Sequence, residues 1–423
     1  MGTDEQIIDR EVESKPPSHS CYLPPSTVPT IAHSSGIRFD FNAGARVSLP
    51  ARGMGEWCLT LSDLDSGNII FRHCSSGSFI TSTKRYFNRF HILVEEVDET
   101  GARSEVLSHA YDCAGKIVVI QMPVSTLGDA LAWFPYAARF GEIHGATVVC
   151  IMDASLIALL ADNYPEIRFL TLEEARDCVI MDDAYASYSL GLFFDDPEFL
   201  NQPTDFRQVG LHKTAAYILG VTPEEIRPVV SAAEMDTPPI DEPYICIATQ
   251  ASTQCKYWNN PEGWLSLVSW ALAQGYRVIC IDKSPFYGAG IMWNRIPHGA
   301  EDQTGDRPLS ERVRWLRHAS AFVGLSSGLS WLAWASGTPV VMISGFTHPT
   351  NEFETEFRVI NWHACNSCWN DATEKFDHHD FLWCPRHKNT ERQFECTRLI
   401  TPGHVIKVLN AALHLKNKNT KQK

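Results

Sequence analysis

The sequence is short of positive charge: 36 Lys and Arg stand against 50 Asp and Glu, for a formal net charge of −14. Binding a polyanion needs a basic face, so nucleic acid is not an expected partner. No run approaches the roughly 18–20 apolar residues of a membrane span. The acidic start MGTDEQIIDREVESK also lacks the basic and apolar regions of a secretory signal, and the expected location is the cytoplasm. An even cysteine count is missing too. Thirteen cysteines scattered over 423 residues do not fit a disulfide framework, and Cys21, Cys58, Cys74, Cys113, Cys150, Cys178, Cys246 and Cys280 read as inert packing thiols.

What is present divides the chain into four. Residues 1–36 are polar and Pro/Ser-rich in their first 28 positions, without apolar periodicity, and read as a mobile leader. Residues 37–108 hold short turn-bounded β runs such as IRFDF, RVSL, WCLTLSD and RFHILVEEV, which predict a separate small β domain, barrel-like and antiparallel. From Lys116 the pattern becomes KIVVIQM, a Gly-bearing turn, the helical ALAWFPYAARFGEIHG and ATVVCIM, a βαβ unit that implies a parallel sheet covered by helices. Residues 116–225 are therefore a first Rossmann-like domain, closed by a helix that ends at Gly220 before Pro223. Alternation restarts at YICIAT and continues through PVVMISG, so residues 226–423 form a second. The expected fold class is α/β, two Rossmann-like domains facing a cleft formed by loops at the carboxyl ends of their strands. A nucleotide sugar fits such a cleft.

Three loops carry candidate chemistry. In ATQASTQCKYWNNPEGW, Thr249, Gln250, Ser252 and Thr253 offer hydrogen bonds and Lys256 offers the charge a departing diphosphate needs, or is simply a solvated lysine. In FVGLSSGLSWLAWASG the turn Ser326-Ser327-Gly328 feeds a helix whose unpaired N–H groups and dipole suit an anion, or the serines merely cap that helix. It is no P-loop, because the Gly-Lys-Ser/Thr ending is absent. In MPVSTLGDALAWFP, Asp129 opens a helix either as N-cap or as a working carboxylate. The acidic pairs Asp182-Asp183 and Asp195-Asp196 read as solvated turns.

Residues 365–396 contain four cysteines spaced C-x2-C-x15-C-x11-C. Thiolates of Cys365, Cys368, Cys384 and Cys396 would close a tetrahedral set with no place for water or substrate, which marks a structural metal site. His378, His379 and His387 then read as surface or interface residues. Zinc and iron both suit four thiolates, and the spacing does not separate them.

Together, TLGDALAWFP, STQCKYWNNPEGW and GLSSGLSWLAWASGTPVV resemble the heptosyltransferases that use ADP-activated heptose, a family of GT-B fold. The cysteine finger, placed at 362–398, and the preceding β domain narrow the resemblance to bacterial autotransporter heptosyltransferases, which glycosylate adhesins in the cytoplasm before secretion. It covers about residues 37–410. It implies an inverting transfer of heptose from ADP-heptose to serine hydroxyls of an adhesin passenger domain, with Asp129 as base and no catalytic divalent metal. It further implies substrate contacts from Thr126, Leu127 and Gly128, phosphate binding by Lys256, a nucleotide turn of Ser326, Ser327, Gly328, Leu329 and Ser330, and Asp282 and Lys283 near the adenosine. One structural iron(III) per subunit and a twelve-subunit ring also follow from the resemblance. The chain departs from the lipopolysaccharide heptosyltransferases, which usually carry Asp-Thr-Gly and Ser-His where it has Ser326-Ser327-Gly328 and Ser330-Trp331, so a lipid A core acceptor is not expected. A GT-B enzyme of different donor and a non-enzymatic metal-finger protein are the alternatives, separated by donor turnover and nucleotide binding.

Overall fold

The computed structural model describes residues 21–123, 126–233 and 235–421. The first twenty residues of the expected leader lie outside these, whereas residues 21–36 do not behave as a leader. Leu23 exchanges hydrogen bonds with the Gln121 side chain at 2.8 and 3.1 Å, and Ile31–Ala32 pairs with Arg38–Asn42. Arg46, buried and forked onto Asp40, donates a further bond to the carbonyl of Ser26 at 2.6 Å. The charge pair thus pins this segment to the sheet.

The first sheet runs, in spatial order, Arg168–Leu170, Thr147–Ile151, Ile117–Gln121, Ala186–Ser189, Arg38–Asn42, Arg46–Leu49 and Ser78–Thr81. Its first five strands are parallel. An N-terminal sheet region is present, but it is not a separate barrel. Arg38–Asn42 joins Ala186–Ser189 in parallel register, with Phe41 opposite Ala186, and three strands of the expected β domain become the far side of the Rossmann sheet. The others, Ile69–Ser75, Glu56–Asp63, Phe90–Val97 and Arg103–Ala110, form a four-stranded antiparallel sheet. Phe39, Phe41, Leu59, Ile92 and Tyr111 share one buried core with Phe140 and Tyr188 of the Rossmann layer, so a single hydrophobic interior covers both.

Cys58 and Cys74 correct the reading of inert thiols. They are direct cross-strand partners joined by a disulfide, since antiparallel register sets them face to face.

The second sheet is wholly parallel, in the order Glu301–Asp302, Arg277–Cys280, Tyr244–Ile247, Phe322–Leu325, Val340–Ile343 and Arg358–Val359. Its strands are buried throughout their centres, as helices on both faces require. The helix Leu211–Leu219 ends, as expected, on a left-handed Gly220, and Trp133 of the helix Leu127–His144 donates to the carbonyl of Leu211 at 2.9 Å. No helix of the described residues is long and apolar enough to cross a membrane.

Candidate active site

Two helices meet end to end between the halves. Gly128 is the second residue of Leu127–His144, and Gly328 opens Gly328–Ala335. A Cβ on Gly328 would lie 3.0 Å from Leu127 Cβ and 3.1 Å from Gly128 N, and one on Gly128 would lie 3.0 Å from the Trp331 ring. Only glycine permits this approach. Two helix N-termini therefore converge, and their dipoles favour an anion at the same place.

Asp129 sits at this junction, though not as the N-cap. Thr126 is the N-cap, and Asp129 is the third helical residue of a capping box: its carboxylate accepts from Thr126 N at 3.0 Å, and Thr126 Oγ1 accepts from Asp129 N at 3.4 Å. The carboxyl is partly exposed but closely surrounded by protein. This desolvation holds its pKa above the ordinary aspartate value, against the lowering influence of the Thr126 hydrogen bonds and of the Lys256 charge across the cleft.

Lys256 ends a short turn, Gln254–Lys256, in the second half. Its ammonium lies 5.3 Å from the centre of the Phe346 ring and 5.9 Å from that of Trp369, within cation–π range of both. Cys255 beside it is buried with Phe346, Trp383 and Phe394, against which Cys368, Trp369 and Cys384 pack. The cysteine segment thus forms the floor under Lys256, a connection invisible in the sequence because more than a hundred residues intervene.

The remaining expected contacts divide. Leu127, Lys283 and Leu329 line one cavity of about 530 Å³ together with Asp153, Arg307 and Arg312. Ser252 is exposed on its loop. The hydroxyls of Ser326 and Ser330 are spent on protein: Ser326 donates to Glu352, which pairs with Arg358 at 2.9 Å, and Ser330 donates to the carbonyl of Leu325. Ser327 Oγ, at the N-cap position, is buried with no hydrogen-bond partner among the described residues. Asp282 is 1% exposed and accepts from Thr249 N and Oγ1 at 2.7 and 2.9 Å and from Gln250 N at 3.3 Å. These bonds commit the carboxylate of Asp282 to shaping the Thr249–Gln250 loop. The Gln250 side chain is likewise used, donating to the carbonyl of Ser284 at 2.8 Å.

In the finger, burial and neighbouring thiols push Cys368 up to about 12 and raise Cys396, whose sulfur feels Cys368, Cys384, Cys365 and Cys255. These thiols lie within electrostatic reach of one another, and a cation among them would favour their charged forms. One correction concerns His387. It is not a plain surface residue, because Cys365, His387 and Glu395 bring ligand atoms within 4.8 Å of one another. Glu395 also accepts from Cys365 N at 3.0 Å and from Arg392 at 2.7 and 2.8 Å, and Arg392 holds its carboxyl down to about 2.

Comparison with known proteins gives the family. Residues 34–98 match the N-terminal domain of glycosyltransferase TibC, and residues 213–372 match glycosyltransferase family 9 (heptosyltransferase). The chain is 50% identical over 389 residues to the autotransporter heptosyltransferase BAHTCr of Citrobacter rodentium, covering 92% of each protein. It superposes with a TM-score of 0.85, at 48% identity, on the dodecameric iron-containing heptosyltransferase TibC in complex with ADP-D-beta-D-heptose, covering 93% of this chain and 100% of that one. An inactive autotransporter heptosyltransferase, BimC of Burkholderia thailandensis, is 42% identical over 409 residues, 95% of this chain and 93% of BimC. The E. coli ADP-heptose lipopolysaccharide heptosyltransferase II shares the fold, with a TM-score of 0.51 at 16% identity over 71% of this chain and 99% of that one. The chain belongs to the autotransporter heptosyltransferase family, and its second half carries the family 9 glycosyltransferase domain.

Proposed function

We propose that this heptosyltransferase transfers heptose from ADP-heptose to serine hydroxyls of an autotransporter adhesin passenger domain in the bacterial cytoplasm, inverting the anomeric centre. The observation that carries this reading is the convergence of Asp129, Lys256 and two helix N-termini, held close by Gly128 and Gly328, between the halves. Diphosphate departure leaves negative charge, which Lys256 and the N–H groups at Gly328 would receive, with the orphaned Ser327 hydroxyl as a further donor. No divalent cation is required for that step. A serine hydroxyl is too weak an acid to ionise near neutral pH, so Asp129 would take its proton as the new bond forms. A carboxyl held above its usual pKa is a stronger base than a solvated one.

The finger is proposed to hold one structural iron(III) through Cys365, Cys368, Cys384 and Cys396, as befits a relative of an iron-containing enzyme. A closed thiolate set supplies no open coordination position, so its part is to fix the fold around Trp369 and the floor under Lys256. Residues 37–108 are proposed to engage the acceptor, and assembly is proposed to be a homododecamer like that of TibC.

The test is turnover of ADP-heptose compared with UDP-sugars in the presence of a passenger domain. Transfer from ADP-heptose alone is expected. Transfer from a UDP-sugar would replace the donor, and transfer from none would place the chain beside the inactive relative BimC.

A further inference from the structure

The cysteine segment belongs to the second half of the chain, yet it also grips the first. Cys368 opens a short turn, Cys368–Asn370, whose last two residues face both ways. Trp369 is fastened to the second half: its backbone N–H donates to the carbonyl of Phe346 at 3.1 Å and its indole N–H to the Asn351 side chain at 3.0 Å. The same ring closes a triangle with Phe194 and Phe206 of the first half. Its centre lies 5.8 Å from each of theirs, and they are 4.9 Å apart, distances at which aromatic pairs attract. Phe206 is 1% exposed, so this contact is buried.

Asn370 spans the seam with a single side-chain amide. Oδ1 accepts from His348 N at 2.9 Å, in the second half, and Nδ2 donates to the carbonyl of Arg207 at 2.9 Å, in the first. Beside it Gly210, at φ 90°, lies against Thr350, where an added Cβ would overlap the Thr350 carbonyl. Only glycine lets the two chains meet so closely. The outer contact between the halves, Lys375 with Asp195 at 3.1 Å, is mostly exposed and contributes little.

The gripped segment leads to the proposed base. Phe206–Val209 is one helical turn, and after Gly210 comes Leu211–Leu219, whose first carbonyl accepts from Trp133 at 2.9 Å. Trp133 stands about one turn beyond Asp129 in the helix Leu127–His144, so whatever holds Leu211 steadies the helix of the carboxylate. On the other side, Trp369 lies 5.9 Å from the Lys256 ammonium. Two adjacent residues therefore touch the lysine of one half and the buttress of the carboxylate in the other.

We propose that Trp369 and Asn370 are positioning residues that clasp the two halves and set the separation of Asp129 from Lys256 across the cleft. Neither touches the reacting atoms. A misplacement of about an ångström costs about 10²-fold in rate, so a small change at the seam reaches turnover. The catalytic consequence rests on the proposed roles of Asp129 and Lys256, whereas the clasp itself does not.

The test approaches the seam from both halves in the full-length protein. Asn370→Asp keeps an acceptor for His348 N but turns a second oxygen towards the Arg207 carbonyl, and Phe206→Leu removes a first-half ring far in sequence from the cysteines. Amide hydrogen exchange and kcat for passenger heptosylation are measured on each. In Asn370→Asp, exchange across residues 206–219 of the opposite half is expected to quicken about tenfold, and in Phe206→Leu the same is expected across residues 367–371. The strands Ile117–Gln121 and Tyr244–Ile247 should keep wild-type protection, which separates a loosened seam from a loosened fold. kcat should fall about tenfold or more in both variants. Unchanged exchange in the opposite half in both variants would overturn the clasp, as would loss of strand protection in both, and quickened exchange with wild-type kcat would overturn the positioning role. If one variant loses strand protection, the other decides. If the wild-type protein transfers no heptose, the proposed reaction fails, and the exchange comparison still decides the clasp.

Discussion

Replacing Gly328 with Ala adds a single carbon at the place where the two halves touch. An alanine in a helix is usually favoured over glycine by about 0.5–1 kcal/mol. Here the new Cβ would lie 3.0 Å from Leu127 Cβ, 3.1 Å from Gly128 N and 3.3 Å from Leu127 Cγ, so backbone must move and not just a side-chain tip. Overpacking of that kind costs about 1–3 kcal/mol, and the clash should exceed the propensity gain by about 1–2 kcal/mol. The control is Gly403 in the helix Pro402–Lys421, where an added Cβ meets nothing within 4 Å. Thermal melts of the two variants should move in opposite directions, Gly403→Ala upward and Gly328→Ala downward. Because the displaced elements carry Asp129 and the proposed phosphate turn, kcat of Gly328→Ala should also fall by about 10²-fold, the scale of an ångström of misplacement. A Gly328→Ala protein that melts higher and turns over normally would refute the idea that close helix approach builds the site.

Three further outcomes are expected. Asp129 binds its proton more tightly folded than unfolded, so stability is gained as pH falls through its raised folded pKa towards the unfolded value of about 3.9, and is lost again on charging. Asp129→Asn, which keeps an acceptor for the Thr126 N–H, should melt higher than wild type at neutral pH, with the difference vanishing in acid, while kcat drops by roughly 10²–10⁴-fold. Cys365→Ala or Cys384→Ala should lose the metal by elemental analysis and melt lower, because metal-binding free energy is folding free energy; loss of metal with unchanged melting would remove the structural role. Trp369→Leu should lower kcat for ADP-heptose severalfold through the Lys256 ammonium, and Trp369→Phe, which keeps a ring, should recover most of it.

Both Rossmann halves were legible because strand, Gly-bearing turn and helix alternate over short distances, and a left-handed Gly220 ends its helix where a glycine before a proline suggests. The partition of residues 37–108 was not. Whether IRFDF pairs within a small barrel or beside Ala186–Ser189 depends on a contact about 145 residues away, of the long-range kind that strand periodicity does not encode. The motif residues come together in the folded chain, where some of them have protein partners that residue type does not reveal. Ser326, Ser330 and Asp282 look like ligand contacts in a loop, and each also bonds a protein partner at the end of a buried strand. Gly128 and Gly328 act through what they leave out. The four-cysteine spacing completes a ligand set without His387, and only the folded chain brings it beside Cys365 and Glu395.

The most direct test of the account is the intact mass of a passenger domain after incubation with ADP-heptose and the purified protein. Whole-heptose additions are expected with wild type and almost none with a folded Asp129→Asn protein that still binds ADP-heptose. Equal additions with both proteins would contradict the assignment of Asp129, and no additions with either would contradict the transfer itself.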